Sequence, residues 1–208
     1  QSQFYALAEQ GQSPAVSFGD RHVIVLVTEG AAQLDISGRV FEVSPESGFY
    51  VRPDEAFAVN NQDSTPVKLF VSVCPLASQP EILDTMPDNF NDQYPVRTVG
   101  IDPNNRQTMA DRFFQVLVDK NIGSTVVTQF IGEVPLSKAA PHRHLYEESI
   151  VVLRGAGCMW TENGKAPVAA GDVIFLPRKQ IHSLQCTDPD GMMLAGVIYP
   201  GDNPSINY

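Results

Sequence analysis

Short runs rich in Val, Ile, Phe and Leu recur along the chain between clusters of Gly, Pro, Asn and Asp, at a spacing of roughly 8 to 12 residues that marks all-β sandwiches and barrels. RHVIVLVTEG, GFYVRP, VKLFVSVCP, STVVTQFIGEVP, SIVVLRGAG, GDVIFLP and GMMLAGVIYP are such runs. Helical periodicity is weak outside EILDTM and TMADRFFQVLVD, and the second reads equally well as a strand.

The order of the runs repeats. The windows starting at Val23 and at Glu148 both read strand, Gly-Ala, strand, glycine-containing turn, strand, second glycine, then an apolar strand ending in proline. Gly30 and Gly155 are 125 positions apart, Gly48 falls near the counterpart of Gly171, and Pro53 near that of Pro177. This internal duplication predicts one β-barrel over residues 1–75 and another over 111–208. Residues 76–110 between them include four prolines, with a fifth just before them at Pro75, and several Asn and Asp, which suits an irregular connector lying over packed structure.

One stretch of the second repeat stands out: PHRHLYEESIVVLRGAG, residues 141–157. His142, His144 and Glu148 share parity, so on extended backbone they project to one face. Imidazoles and a carboxylate turned into a barrel are costly to bury alone, and a divalent cation satisfies all of them together. His182, on the strand after the second glycine, adds a third imidazole, so three of the four histidines join one constellation. A plain exposed loop with a solvated Glu147–Glu148 pair would leave His182 unexplained. Parity and the six-residue gap to Gly155 select Glu148 as the inward carboxylate and put Glu147 on the outer face. His22, alone, reads as a surface or hydrogen-bonded histidine.

Composition narrows the functions. The 208 residues suit one large or two small domains, and 43% hydrophobic content provides for a substantial core. Fourteen Lys and Arg against 24 Asp and Glu give a formal charge of −10, without the local basic patch that nucleic-acid binding requires. No apolar run is long enough for a membrane span, and no secretory leader is visible, although a chain opening on Gln1 leaves a trimmed leader open. The expected location is the cytoplasm. Cys74, Cys158 and Cys186 are few, odd in number and far apart, which argues against a disulfide framework or a cysteine zinc site.

These residues resemble the cupin superfamily, whose first motif reads G-x5-H-x-H-x3,4-E-x6-G and whose second reads G-x5-P-x-G-x2-H-x3-N. His142, His144, Glu148 and Gly155 match the first motif, and Gly171, Pro177 and His182 most of the second. The chain departs from the pattern at Leu136 in place of the opening glycine, Lys179 in place of a glycine and Cys186 in place of an asparagine, none of them a ligand position. A proline-led type I turn tolerates Lys179. The resemblance implies two tandem cupin (double-stranded β-helix, jelly-roll) barrels. Counting through the first repeat lands on Ser17, Gly19, Val23 and Ala58 or Val59, so the first barrel is expected to be metal-free and structural, serving dimerisation or closing a pocket.

The resemblance further implies one divalent transition metal held by His142, His144, Glu148 and His182, with Fe, Mn, Ni, Co, Cu and Zn all compatible. Expected pocket residues are Tyr146 as acid or hydrogen-bond donor, Gln129 facing substrate, and Trp160, Phe175, Leu184 and Met193 as an apolar wall whose plainer reading is barrel core. Arg143 and Arg178 would flank the mouth. The expected activity is that of a dioxygenase on a small enolisable, aromatic or dicarbonyl compound. The alternatives are a non-redox Lewis-acid isomerase, lyase or decarboxylase on a sugar or oxo acid, and a non-catalytic small-ligand binder. Expected partners are a small-molecule substrate and, at most, a second copy of the chain in a homodimer.

Overall fold

The computed structural model describes residues 1–208. The chain divides into two compact units, Gln1–Ile101 with Leu117–Thr125, and Asp102–Val116 with Val126–Tyr208. Each is built of two β-sheets in a jelly-roll arrangement, so the chain carries two tandem β-barrels.

In the first unit one sheet runs in the order β1 (Ser2–Leu7), β8 (Val67–Cys74), β3 (His22–Glu29), β6 (Gly48–Val51), β10 (Thr98–Val99). The other runs β5 (Arg39–Val43), β4 (Ala32–Ile36), β7 (Ala56–Asn60), β2 (Ala15–Ser17), β9 (Glu81–Leu83). Strand alternation turns Val23, Val25 and Val27 of β3 towards Leu34, Ile36, Phe57 and Val59 of the second sheet. Each such side chain contributes about 1.5–3 kcal/mol by leaving water.

The second unit repeats this plan. One sheet runs β11 (Gln107–Met109), β12 (Arg112–Val118), β13 (Thr128–Val134), β19 (Met192–Tyr199), β14 (Glu147–Arg154), β17 (Val173–Leu176), and the other β16 (Gly164–Ala169), β15 (Ala156–Thr161), β18 (His182–Cys186). The pairs β3 and β14, β6 and β17, and β8 and β19 are each 125 residues apart at both ends. Even the bulges coincide: the register slips between Val27 and Glu29 in one unit and between Val152 and Arg154 in the other. The glycines that follow have the same reason to be glycine. Gly30 and Gly155 have φ of +75° and +81°, and a Cβ would stand 2.5 Å from Pro66 O and 2.3 Å from Gly191 O.

Neither stretch with helical periodicity is helical. Ile82 lies in β9, paired with β2, and Arg112–Val118 is β12; only two 3-10 turns occur, Pro103–Asn105 and Lys120–Ile122. No helix is long and apolar enough to cross a membrane.

The proline-rich segment after β8 is fastened to the first unit through β9, through β10, and by a buried ion pair. Arg97 is fully buried and its fork meets Glu55 at 2.5 and 2.7 Å, while its Nε donates to Tyr94 O at 2.8 Å and Phe90 lies under the guanidinium at 4.4 Å. Burial alone would raise the Glu55 carboxyl, but Arg97 and the N–H groups of Arg52 and Asn91 hold it below its ordinary value.

Candidate metal centre

Three segments bring the site together. Residues 138–142 run beside β18, where His142 and His182 exchange both backbone hydrogen bonds at 3.0 and 2.9 Å. His144 lies in the bend before β14, and its carbonyl accepts from Lys179 N at 2.7 Å. Glu148 follows at the start of β14, facing inward with Ile150 and Val152. One ring nitrogen from each of His142, His144 and His182 lies within 4.8 Å of the others.

The hydrogen bonds of the rings fix what they present. His142 Nδ1 lies 2.8 Å from Ala140 O and His182 Nδ1 lies 2.9 Å from Gln180 O. Only a protonated nitrogen can serve those carbonyls, so Nδ1 carries the hydrogen and Nε2 keeps its lone pair. His144 Nε2 sits 3.0 Å from Asn207 Oδ1; its Nδ1 is buried without a hydrogen bond, 3.2 Å from Glu148 Oε2 but off hydrogen-bond geometry. Lone pairs converging beside a buried carboxylate, with one buried nitrogen orphaned, are the donor set a divalent transition metal satisfies.

Burial also keeps the imidazoles uncharged. Desolvation pulls His182 down to about 4, assisted by His142 and His144 and opposed by its bond to Gln180 O and by Glu148. His142 is lowered in the same way, burial and the neighbouring His144 and Arg112 outweighing its bond to Ala140 O and the Glu148 carboxylate. A histidine held neutral in the fold stabilises it above its unfolded value of 6.5, and that contribution disappears as pH falls towards about 4. The metal-free protein is therefore expected to lose on the order of 3 kcal/mol across that window from His182. Urea midpoints at neutral pH and near pH 4 check this, and equal midpoints would contradict it.

The site opens into a cavity of about 390 Å³. Phe114, Phe130, Ile150, Met159, Leu184 and Leu194 form much of its wall, and Arg112 and Asn207 reach it beside the three histidines and Glu148. Of the four expected wall residues, only Leu184 lines it. Trp160, Phe175 and Met193 are each one position out of register with the inward face, and a one-residue offset on a strand moves a side chain to the other side of the sheet. Trp160 packs its ring under Lys138 and Lys165, Phe175 is 61% exposed, and Met193 Sδ meets Arg154 at 2.9 Å. Met159, Ile174 and the pair Met192 and Leu194 face the interior instead.

Gln129 is fully buried but lies on the opposite face of β13 from Phe130 and Gly132, which line the cavity. Tyr146 packs in the core of the unit and does not line the cavity; its ring centre is 4.5 Å from that of His144, and its hydroxyl is buried and unpartnered. Burial first, then the charges of Glu148, Asp202 and Tyr208, push this phenol well above its ordinary value, so the hydroxyl keeps its proton. Glu147 points outward and lies 3.7 Å from Arg178. Lys179 has a φ of +67°, the left-handed region rather than a type I turn, so the lysine sits where glycine would be unstrained. Sequence reasoning missed Arg112, on a strand it left ambiguous, and Asn207, which the antiparallel pairing of Tyr208 with Arg143 carries to His144.

In the first unit, β2 and β7 pair Val16 with Phe57 as His142 pairs with His182. By that register the ligand positions correspond to Val16, Phe18, Val23 and Phe57: β2 is one residue out of step with the uniform offset of 125, which replaces Ser17 and Gly19 by Val16 and Phe18, while the offset itself takes His182 to Phe57 and not to Ala58 or Val59. Phe18, Val23 and Phe57 are buried core residues and Val16 packs against them. His22, away from these positions, is 2.6 Å from Tyr50 OH, the hydrogen-bonded histidine expected.

A Cupin domain profile matches residues 133–198, and an AraC-like ligand binding domain profile matches residues 9–119. No curated protein matches the chain in sequence. Among solved structures, a variant of salicylate 1,2-dioxygenase from Pseudoaminobacter salicylatoxidans in complex with gentisate superposes with a TM-score of 0.76 at 10% identity, over 95% of this chain and 68% of that one. Procruciferin, an 11S globulin from Brassica napus, gives 0.78 at 10% identity, over 100% and 77%. An 11S globulin from Wrightia tinctoria, whose structure reveals an auxin binding site, gives 0.74 at 10% identity, over 96% and 75%. At such identities the likeness is one of fold, shared by an enzyme and by globulins. The AraC-like profile alone spans more than half of the chain, and with the Cupin domain profile over the histidine-bearing unit it makes this protein a member of the cupin superfamily.

Proposed function

We propose that the second barrel is a mononuclear metal enzyme of the dioxygenase type, acting on a small enolisable, aromatic or dicarbonyl compound, and that the first barrel has lost its ligands and is structural. The observation that carries the reading is the set of His142, His144 and His182, with nitrogens within 4.8 Å, at the base of a largely apolar cavity. His142, His144, His182 and Glu148 would hold the ion; when bound, it would bring a chelating substrate and dioxygen to adjacent positions. The chain's own residues do the rest. Ala140 O and Gln180 O keep two imidazoles in the lone-pair tautomer, Phe114, Phe130 and Leu194 exclude water, and Tyr146, buried behind His144, has a hydroxyl free to donate a hydrogen bond. The gentisate bound by the salicylate 1,2-dioxygenase neighbour supports a compound of that size. In the first barrel, Val16, Phe18, Val23 and Phe57 fill with apolar atoms the space that carries donors in the second.

Oxygen uptake by iron-loaded protein with gentisate, salicylate and a 1,3-diketone tests this. Consumption stoichiometric with loss of one substrate is the expected result, and anaerobic turnover would replace the reading with Lewis-acid isomerisation or cleavage. A second reading has its own support: the AraC-like ligand binding domain profile over residues 9–119 and the auxin site of the globulin neighbour fit a protein that binds a small molecule without converting it. Saturable binding with no turnover in either atmosphere would favour it.

A further inference from the structure

The cavity holds one strong cation that the metal chemistry does not use. Arg112 opens β12 and faces the interior with Phe114; only 8% of the residue is exposed. Its Nη2 donates to Leu184 O at 2.8 Å. The nearest carboxylate, Asp111, stands 3.8 Å from Nε, beyond hydrogen-bond reach, and is itself 57% exposed. A guanidinium carries five N–H donors in a planar fork, so most of this one has no hydrogen-bond partner.

Neighbouring charges are otherwise engaged. Glu133 pairs with Arg106, the Lys138 ammonium lies over Trp160 at 3.6 Å, and the Glu148 carboxylate lies beside His144. The Arg112 side chain keeps 10% of its surface exposed, so the N–H groups that Leu184 O does not take are open towards the cavity, where an anion would meet a charge that a neutral carbonyl satisfies only in part. The fork matches a planar carboxylate, which takes two parallel N–H groups. A single guanidinium in a mostly apolar chamber fits a singly charged carboxylate better than a dianionic phosphate.

We propose that Arg112 anchors the carboxylate of the substrate, so that the cavity admits a small organic acid whose other end reaches His142, His144 and His182. The second half of that statement rests on the metal-enzyme reading; the first half stands without it. The volume of about 390 Å³ suits one aromatic ring with its substituents or a short-chain acid.

The test is calorimetric titration of the metal-loaded full chain under anaerobic conditions with salicylate and with salicylamide, which keeps the shape and removes the charge. Metal chelation also favours salicylate, so the measured quantity is the ratio of the two affinities in each variant. Arg112→Met is expected to lower that ratio by about 30- to 100-fold, the usual consequence of removing one partner of a buried charge pair. Metal content by elemental analysis is expected to be unchanged. Arg112→Lys, which keeps the charge without the fork, is expected to lower the ratio by about tenfold, and it decides the matter if the methionine variant fails to fold.

A ratio unchanged from wild type in the folded variant overturns the proposal, as does the absence of salicylate binding to wild type at millimolar concentration. Displacement of salicylate by inorganic phosphate as readily as by benzoate overturns the carboxylate assignment. A lowered ratio without oxygen uptake would sink the dioxygenase reading and leave Arg112 as the anchor. Oxygen uptake with an unchanged ratio would do the reverse.

Discussion

Replacing His144 by alanine is expected to lower metal affinity by at least about 100-fold and activity with it, since losing even an outer partner of a ligand costs about 10- to 100-fold. The ring is the hub of the site: its centre lies 5.0 Å from that of His142, 4.9 Å from that of His182 and 4.5 Å from that of Tyr146. Its Nδ1 is the buried nitrogen with no hydrogen-bond partner, 3.2 Å from the Glu148 carboxylate. Elemental analysis of the variant purified without added metal is the measurement, and unchanged stoichiometry would refute the ligand assignment. Glu147→Gln is the control. That side chain points away, 3.7 Å from Arg178, and its loss should change neither metal content nor melting temperature. A metal-depleted Glu147→Gln protein would mean that the carboxylate ligand is the other glutamate.

The largest effect on stability is expected far from the histidines, at Glu55→Ala. The carboxylate accepts two bonds from Arg97 and one each from the N–H groups of Arg52 and Asn91, with 0% and 4% of the Arg97 and Glu55 side chains exposed. Removing it leaves a buried guanidinium with two backbone carbonyls and no anion, and breaking a buried pair in this way costs about 3–5 kcal/mol. Against a typical domain stability of about 5–15 kcal/mol, that is a large share. It also frees the segment that Arg97 pins through Tyr94 O and Asn91 O. Urea denaturation should show a midpoint well below wild type, while Glu29→Gln, which breaks the exposed pair with Lys68, should change stability by less than about 1 kcal/mol. Similar midpoints for the two variants would show that the Arg97 pair contributes no more than a surface pair.

Much of this fold was legible because its signals are local. Gly30 and Gly155 mark the duplication since each occupies a left-handed position packed against a carbonyl, where no other residue fits without strain. His142, His144 and Glu148 could be picked out because polar side chains at inward parity contradict burial unless something binds them. The wall of the cavity was not legible to the same degree. Trp160, Phe175 and Met193 sit in strands as apolar as their neighbours, and in such runs composition does not reveal which parity faces in. Only cross-strand pairing, such as Met159 with Leu184 and Trp160 with Ser183, fixes it. The same limit displaced Gln129 to the far face and moved the first-barrel counterparts by one residue, from Ser17 to Val16.

By itself the sequence determined that the chain is all-β, that its plan is used twice, which three histidines come together and which of two adjacent glutamates turns inward beside them, because those depend on alternation and on spacing along a strand. The tertiary structure alone decided the tautomers of His142 and His182, the strained turn at Lys179, the arrival of Asn207 beside His144, and the placing of Arg112 in the cavity. Each of these arises where segments distant in the chain meet, and a periodic pattern carries no information about which segments those are.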